Sequence, residues 1–560
     1  MKTSVTTILS IILSLSILSA QDDHVIFGAM KEEMERSLSQ LKMDNPNTPP
    51  ILFISYTLAD TRAIHTTASN GTVIQTAVNQ IERVGSVRLT VGDNTFSSDH
   101  SYTGNGLLGA NYVTFEPQPA QIRAAFWTNT DIAYKLAIEA YNSKLSNIKN
   151  ANLTDEEKAL KEYIPMHPCE HFVPYNSINL DRAPYEYLAV TLSSSMVKEN
   201  SVVLSSVALS GVETVYYTLT SEGVKSKQAV QYIDVTLKAK VRLPSGQVVS
   251  DEKSMIFPYS HTLPDLDLLL SEVKTFSAHL AAIRNTEKVQ EYYLGPVLFE
   301  NEAVAKIFSD NLLSLSGLLA SRKPIQVITT VARAENIAEQ SRAKSLEERL
   351  GKKVLDSRIS VFNVTDMDQF NDSPLLGAYK ADAQGVIPKP SITLIQNGIL
   401  KSLLTHNVPT LKCNESTGSL RFGAKARSVT QELAPGLLFI EAPNGESATQ
   451  LKAALLACAR EEGLDYGYIV RKFGGSDLFL FRVSVADGSE TLVTNGELQP
   501  VPLAKLKRVM GVAKTQYIQN FLYKGAIPCA VICPSGLLIE DIEINIKRPN
   551  IQKDSELIKN

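Results

Sequence analysis

The sequence predicts an α+β fold in two domains, with mostly antiparallel sheets and flanking helices. Two observations predict it. Runs of β-branched and apolar residues alternate with Asn-Gly or Asp-Gly pairs at 70–71, 397–398, 444–445, 487–488 and 495–496. Such pairs accept the φ > 0 that tight hairpin turns require, and tight turns leave neighbouring strands antiparallel. The chain is also long enough for two or more cores: 560 residues, 44% hydrophobic and 20% charged, a globular composition.

The N-terminus reads Met-Lys-Thr, then an apolar run from Ile8 to Leu18, then Ser19-Ala20-Gln21. A lone positive charge, a short apolar core and small residues before a cut describe a secretory signal peptide over 1–20, cleaved between Ala20 and Gln21. The alternative is an uncleaved anchor, but the run is short for a bilayer. No cysteine sits near the cut for a lipid anchor. The expected protein is exported, periplasmic or secreted, with no membrane span after cleavage. Net charge is −4 and no basic stripe occurs, which argues against nucleic acid as a partner.

An N-terminal domain is expected over 21–290. Met30, Met34, Leu38 and Leu41 recur at helical spacing, predicting a helix over 27–43. Strands follow at 51–59, 61–68, 72–82 and 85–92, then a helix over 119–148 that holds the single tryptophan, Trp127. Residues 150–183 are charged and then Pro-rich, and read as an irregular insert, a candidate linker or flap. A helix at 184–199 precedes a β meander at 201–259, whose alternation is clear from Tyr232 to Arg242, and a helix follows from Leu263 to Thr286.

The C-terminal domain is expected over 291–547. A strand at Leu294–Phe299 runs straight into a helix at 302–320, in which Val304, Ile307, Phe308, Leu312 and Leu315 form an apolar stripe. Ser391–Ile395 and Ile399–Leu404 flank Asn397-Gly398 as a hairpin. Helices are predicted at 446–462 and 502–515, and final strands at 526–533 and 537–547. The polar tail, 548–560, is expected to be disordered.

Five cysteines are too few, and odd in number, for a disulfide scaffold: Cys169, Cys413, Cys458, Cys529 and Cys533. In one strand, Cys529 and Cys533 stand too far apart to bridge. Gly104-Asn-Gly-Leu-Leu-Gly109 matches G-x-G-x-x-G, but no apolar strand precedes it and no helix follows, so a Gly-rich loop is the better reading. His167-Pro-Cys169-Glu170-His171 gathers metal-ligand types, yet its prolines argue for a polar loop. Eight His are scattered along the chain. No nucleophile elbow or P-loop occurs.

Four stretches together resemble the TldD/PmbA family, metallopeptidase-related proteins long labelled modulators of DNA gyrase. They are Gly295-Pro-Val-Leu-Phe-Glu entering its helix; Ser373-Pro-Leu-Leu-Gly377 with Asp382-Ala-Gln-Gly-Val and Leu394-Ile-Gln-Asn-Gly-Ile-Leu-Lys401; Asn414-Glu-Ser-Thr-Gly418; and Pro534-Ser-Gly-Leu-Leu-Ile-Glu-Asp-Ile-Glu543. The resemblance spans nearly the whole mature chain and is strongest over 294–545. In zinc-bearing members that first helix carries H-E-x-x-x-H, and a cysteine near the C-terminus adds a ligand. Here the corresponding positions are Ser309, Asp310 and Ser314, and Cys529 aligns poorly. The resemblance therefore implies no catalytic residue, no metal ligand and no cofactor in this chain.

It implies instead a PmbA-type (TldE-like) subunit, a homodimer or a heterodimer with a zinc-bearing paralogue, enclosing a peptide-binding cavity. Candidate cavity residues are Glu415, Ser416, Arg421 and Arg427, with the helix face bearing Ser309 and Asp310. Two alternatives stand beside it. One is a metallopeptidase with displaced zinc ligands, drawn from His406, His167 and His171. The other is a stand-alone periplasmic peptide- or ligand-binding protein.

Overall fold

The computed structural model describes residues 22–43, 45–99, 111–114, 117–148, 153–196, 202–244, 246, 248–259, 262–283, 286–314, 317–320, 322, 346–472 and 478–547. The expected signal peptide with Ala20 and Gln21, the Gly104–Gly109 loop, Leu315 and the tail after 547 lie outside them. Among the described residues no helix is long and apolar enough to cross a membrane.

A helix over 22–40 (α1) leads to β1 (Ile51–Ser69) and β2 (Thr72–Val91). Asn70 at φ 50° and Gly71 at φ 75° make the turn, as the dipeptide predicts. Two long strands replace the four expected short ones. The strands run through the expected gaps, where Asp60 and Arg83 are register partners. Arg83 Nε and Nη2 donate to the two Asp60 carboxylate oxygens at 2.7 and 2.6 Å.

The chain continues through β3 (Asn111–Tyr112), α2 (Pro119–Ile148), α3 (Asp155–Ala159), β4 (Cys169–Phe172) and α4 (Arg182–Ser195). Then come β5 (Val202–Thr220), β6 (Val224–Arg242), β7 (Val248–Phe257) and α5 (Leu266–Ile283). These strands form one sheet, ordered β3-β2-β1-β5-β6-β4, with β7 also on β6. Its pairings are antiparallel except β4 with β6. The segment 150–183 is thus not wholly irregular: it supplies an edge strand and a capped turn of helix.

Strand alternation gives this sheet two differently covered faces. On one face Tyr56, Leu58, Val87 and Leu89 pack against Met30, Met34 and Phe126 of α1 and α2. Further along the same face, Ile64, Leu209 and Val235 meet Leu188 of α4 and Phe276 of α5. The other face meets the C-terminal half. Ala59, Val84 and Tyr216 pack on Ala383 and Phe422, and Tyr232 and Ile256 on Leu376 and Ala424. The Tyr216 ring stacks on Phe422 at 3.9 Å and its hydroxyl donates to Gly423 O at 2.6 Å.

The C-terminal half opens with β8 (Glu287–Lys288), β9 (Tyr293–Glu300) and α6 (Glu302–Leu312). Next come β10 (Ser360–Val364), β11 (Gln369–Phe370), β12 (Ser373–Pro374), β13 (Ser391–Gln396) and β14 (Ile399–Leu400). Then follow β15 (Leu420–Phe422), β16 (Gln431–Leu433), β17 (Leu437–Glu441), α7 (Ala448–Glu461), β18 (Tyr466–Lys472), β19 (Leu478–Ser484) and β20 (Glu490–Leu498). The last strands are β21 (Gly511–Val512), β22 (Gln516–Tyr523), β23 (Ile527–Pro534) and β24 (Gly536–Ile546).

One sheet runs β14-β13-β10-β17-β23-β22 and the other β21-β24-β9-β18-β19-β20-β8. β23 and β24 are separated by Ser535 alone, so the chain steps from one sheet to the other there. Helix α6 lies between the sheets. Val304, Ile307, Phe308 and Leu312 share one core with Val297, Val361, Leu438, Val531 and Ile539. Helix α7, started by a Ser447–Gln450 capping box, covers the outer face of the second sheet through Leu451 and Leu455.

Three expectations fail here. Residues 502–515 are not a helix but a 3-10 turn at Lys505–Lys507 followed by β21. Leu503, Leu506 and Val509 face the core at the i, i+3 spacing that such a turn shares with a helix. Asn444-Gly445 and Asn495-Gly496 join no hairpin: the first links β17 to α7, and the second lies inside β20. The strand returning from Asn397-Gly398 is two residues long, because Lys401 N and Ser402 N both turn back to Leu394 O.

Candidate functional site

The α6 positions come first. The helix starts at Asn301, held at φ 50°, and its apolar stripe faces the core. Ser309 is half-buried and its carbonyl accepts from Leu313 N at 2.9 Å. Asp310 points to solvent and pairs with Lys306 at 2.9 Å. Ser314 Oγ donates to Asn311 O at 3.2 Å. Among the described residues the three side chains share no partner.

The four expected cavity residues are also dispersed. Glu415 is exposed, and its carbonyl accepts from Thr405 Oγ1 at 2.7 Å. Ser416 Oγ accepts from Gly418 N at 3.1 Å, closing a local turn. Arg421 is buried in β15: Nη1 donates to Pro435 O at 2.6 Å, and the guanidinium lies 4.3 Å from the Tyr379 ring centroid. Arg427, exposed at φ 60°, reaches Glu82 of β2 at 3.4 Å.

Of the histidines, His167 is exposed and His171 lies in β4. His406 is half-buried beside Asn407, with Nδ1 3.3 Å from Asn407 Oδ1. Burial first, then the Arg88 charge, pushes its pKa down to about 4, so the ring is neutral at pH 7. Cys529 and Cys533 are free and buried. Burial pushes the Cys529 thiol up to about 11 and Cys533 higher still, which removes both as thiolates at neutral pH.

The structure does assemble a site where the two halves meet. A narrow cleft of about 20 Å³, room for about one water, lies between the first sheet and the segments around Gln384 and Gln431. Ser55, Thr57, Ser86 and Thr220 form its polar floor, Arg88 one end, and Phe53 and Met166 an apolar wall. Arg88 Nη2 donates to Asp99 at 2.8 Å. Behind it, the fully buried Lys144 Nζ donates to both Glu162 carboxylate oxygens at 2.9 Å and to Ser97 O and Asp99 O. Arg322 Nη2 stands 3.6 Å from Glu162.

On the facing loop, Gln384 Nε2 donates to Asn407 Oδ1 and Gln384 Oε1 accepts from Asn407 N at 3.2 Å. Asp382, 1% exposed, accepts from Gln384 N and Val386 N at 2.8 and 2.9 Å through Oδ1. Desolvation outweighs those bonds and raises its pKa to about 7.

Comparison with known proteins bears on the same half of the chain. Residues 293–508 match the model of the PmbA/TldA metallopeptidase C-terminal domain, a stretch that contains α6, the Asp382 loop and the Gly398 hairpin. That stretch is similar to the C-terminal domain of TldD/PmbA-family proteins, a likeness that supports a proteolysis-related protein.

Solved TldD/PmbA-like structures extend the likeness of fold to nearly the whole chain. A candidate modulator of a DNA gyrase from Thermotoga maritima shares 14% identity at a TM-score of 0.56, over 92% of this chain and 100% of that one. TldE from Thermococcus kodakarensis shares 14% at 0.53, over 91% and 99%. A candidate modulator of DNA gyrase from Bacteroides thetaiotaomicron shares 12% at 0.57, over 93% and 98%. At these identities the likeness is one of fold alone. Among curated proteins none matches.

The metallopeptidase description raises zinc, and the α6 residues do not fit it. Ser309 and Ser314 offer neutral hydroxyls, and the Asp310 carboxylate is committed to Lys306 at the surface. Among the described residues no group of three or more His, Cys, Asp or Glu side chains could hold a metal ion. Zinc is held by imidazole, thiolate and carboxylate in a closed tetrahedron or an open three-ligand site, and no such set is present there.

The sequence reading missed the cleft residues. Their only signal is small hydroxyls at alternate positions of β1, β2 and β5, a pattern that also describes an ordinary solvated face.

Proposed function

We propose that this chain is an exported, zinc-less, TldE-like subunit that pairs with a zinc-bearing paralogue and helps form a peptide-binding cavity. The observation that carries the reading is the α6 helix. It keeps the strand-to-helix entry and the buried stripe of a TldD/PmbA helix, yet it presents Ser309, Asp310 and Ser314 where an imidazole–carboxylate set is needed. The scaffold is kept and the chemistry is not, which is the expected division of labour when a partner holds the metal. Export rests on the charged, apolar and small-residue regions of the first twenty or so residues.

Tagged chain purified from its native host tests both parts. A zinc-bearing TldD/PmbA paralogue should co-purify, and metal analysis should find zinc in step with that paralogue. Zinc at one equivalent in the chain purified alone, together with chelator-sensitive peptide cleavage, overturns the reading.

A further inference from the structure

The fold begins almost at the expected leader cut. With the cut between Ala20 and Gln21, Asp22 is the second residue of the product, and it already lies in α1. Chain ends are usually loose unless something ties them down. Here the ties stand close to the cut. Asp23 presents both carboxylate oxygens to Lys227 Nζ of β6, each at 2.7 Å. The two side chains are 21% and 9% exposed. The ammonium lies 5.5 Å from the Tyr175 ring centroid and 5.3 Å from that of Tyr217. If Asp23 swung away, Lys227 would be left charged in a poorly solvated place. Ile26, Phe27 and Met30 follow, all buried in the core that α1 shares with the first sheet. The Phe27 ring meets Phe172 and Tyr217 edge-on, each at 5.7 Å, and Lys225 Nζ lies 5.1 Å from it. Two acids in the first turn also suit the positive end of the helix dipole.

Cutting needs the opposite conformation. A protease holds the chain extended on both sides of the bond it hydrolyses, and the product side here is Gln21, Asp22 and Asp23. Water adds across the Ala20–Gln21 amide, the C–N bond breaks, and the products are an Ala20 carboxylate and a Gln21 amine. To present that bond, a docked α1 must unwind its first turn and pull Asp23 off Lys227. Cleavage of a folded chain proceeds through such local openings, at a rate set by the population of the open form.

We infer that the leader is removed before α1 docks, and that the Asp23–Lys227 pair, once formed, closes the Ala20–Gln21 bond to the leader peptidase. The inference rests on the export reading of the preceding section. It makes the first turn of α1 a checkpoint on the order of events. Chain that is cut early docks α1 as its mature N-terminus, and chain that folds first keeps its leader. Asp22 faces solvent, so a retained leader is no bar to the fold.

Purified leader peptidase in detergent micelles tests this on two substrates. One is the folded full chain with residues 1–20 attached, and the other is a peptide of residues 10–30, which has no sheet to dock on. Mass spectrometry places the cut. The peptide is cut at Ala20–Gln21, and the folded chain is cut at least about tenfold more slowly, a factor of roughly 1.4 kcal/mol. Lys227→Met releases Asp23 and speeds cutting of the folded chain. Asp23→Asn also speeds it while leaving the peptide's rate unchanged, and decides the matter should the Lys227 variant fail to fold. Equal rates for folded chain and peptide, or no gain in a folded variant, overturn the inference while the export reading stands. A peptide left whole at Ala20–Gln21 overturns the export reading and the inference with it.

Discussion

Asp382 is buried and His406 half-buried in the loops above the first sheet, and desolvation acts on them in opposite directions. The folded state holds Asp382 near pKa 7 against an ordinary value of about 3.9, so its stabilising effect is full below that ordinary value and is lost as pH rises toward 7. His406 is held near 4 against about 6.5, so its contribution is full above 6.5 and is lost as pH falls toward 4. Between about pH 4 and 6.5 the two slopes oppose each other, each spanning up to about 3–4 kcal/mol. Asp382→Asn should therefore lose stability relative to wild type as pH falls through that window, and His406→Gln should gain it. Urea unfolding at about four pH values measures both, and slopes of the same sign refute the assignment. The sequence marks Asp382 only as part of a family-like stretch and His406 only as a candidate ligand in the alternative metallopeptidase reading, because neither burial nor a neighbour such as Arg88 can be read from the local chain. Arg421 teaches the same lesson from the other side. It reads as a cavity residue, and the structure gives its guanidinium to Pro435 O and the Tyr379 ring.

Elements are legible where one periodicity runs long enough to exclude the others. Helix α2 has the expected bounds, Pro119–Ile148, because its pattern persists for thirty residues. The 3-10 turn near Leu506 is misread because three apolar residues at spacing three fit two kinds of helix. The two long strands β1 and β2 are misread because the Asp60–Arg83 pair lies 23 residues apart in sequence. For α6 the legible part is the stripe, and it gives a sharp contrast between faces. Phe308 is fully buried between the two C-terminal sheets, so Phe308→Ala should cost about 3–5 kcal/mol through the lost burial and the cavity left behind. Asp310→Ala on the solvent face removes only an exposed i, i+4 pair with Lys306 and should stay within about 0.5 kcal/mol. Paired denaturation curves check both. A small cost at Phe308 would mean that α6 is not anchored by its stripe.

At the scale of the whole molecule, the class was legible because tight turns are local, whereas the arrangement of the halves was not, because it depends on contacts hundreds of residues apart. One of these contacts is a buried ion pair. Lys472 of β18 places Nζ 2.6 Å from Asp251 Oδ1 of β7, and the Asp251 side chain is 0% exposed. His279 of α5 brings Nε2 to 3.6 Å from the other oxygen, and Phe479 of β19 packs edge-on to that ring at 4.9 Å. Phe479 sits in the same core as α4 and α5, so the contact joins the halves by packing as well as by charge. Removing one partner of a buried pair leaves an uncompensated charge at a cost of about 3–5 kcal/mol, whereas replacing both by apolar residues of similar volume is close to neutral. Lys472→Met should therefore destabilise strongly, and Asp251→Leu added to it should recover most of the loss. Trp127, the only tryptophan, lies on α2 in the N-terminal half and reports that half by fluorescence, while far-UV circular dichroism reports the whole chain. If the junction makes unfolding cooperative, Lys472→Met in the C-terminal half moves the fluorescence and dichroism transitions together to lower urea. A fluorescence transition that stays in place while the dichroism transition moves would show that the two halves unfold independently.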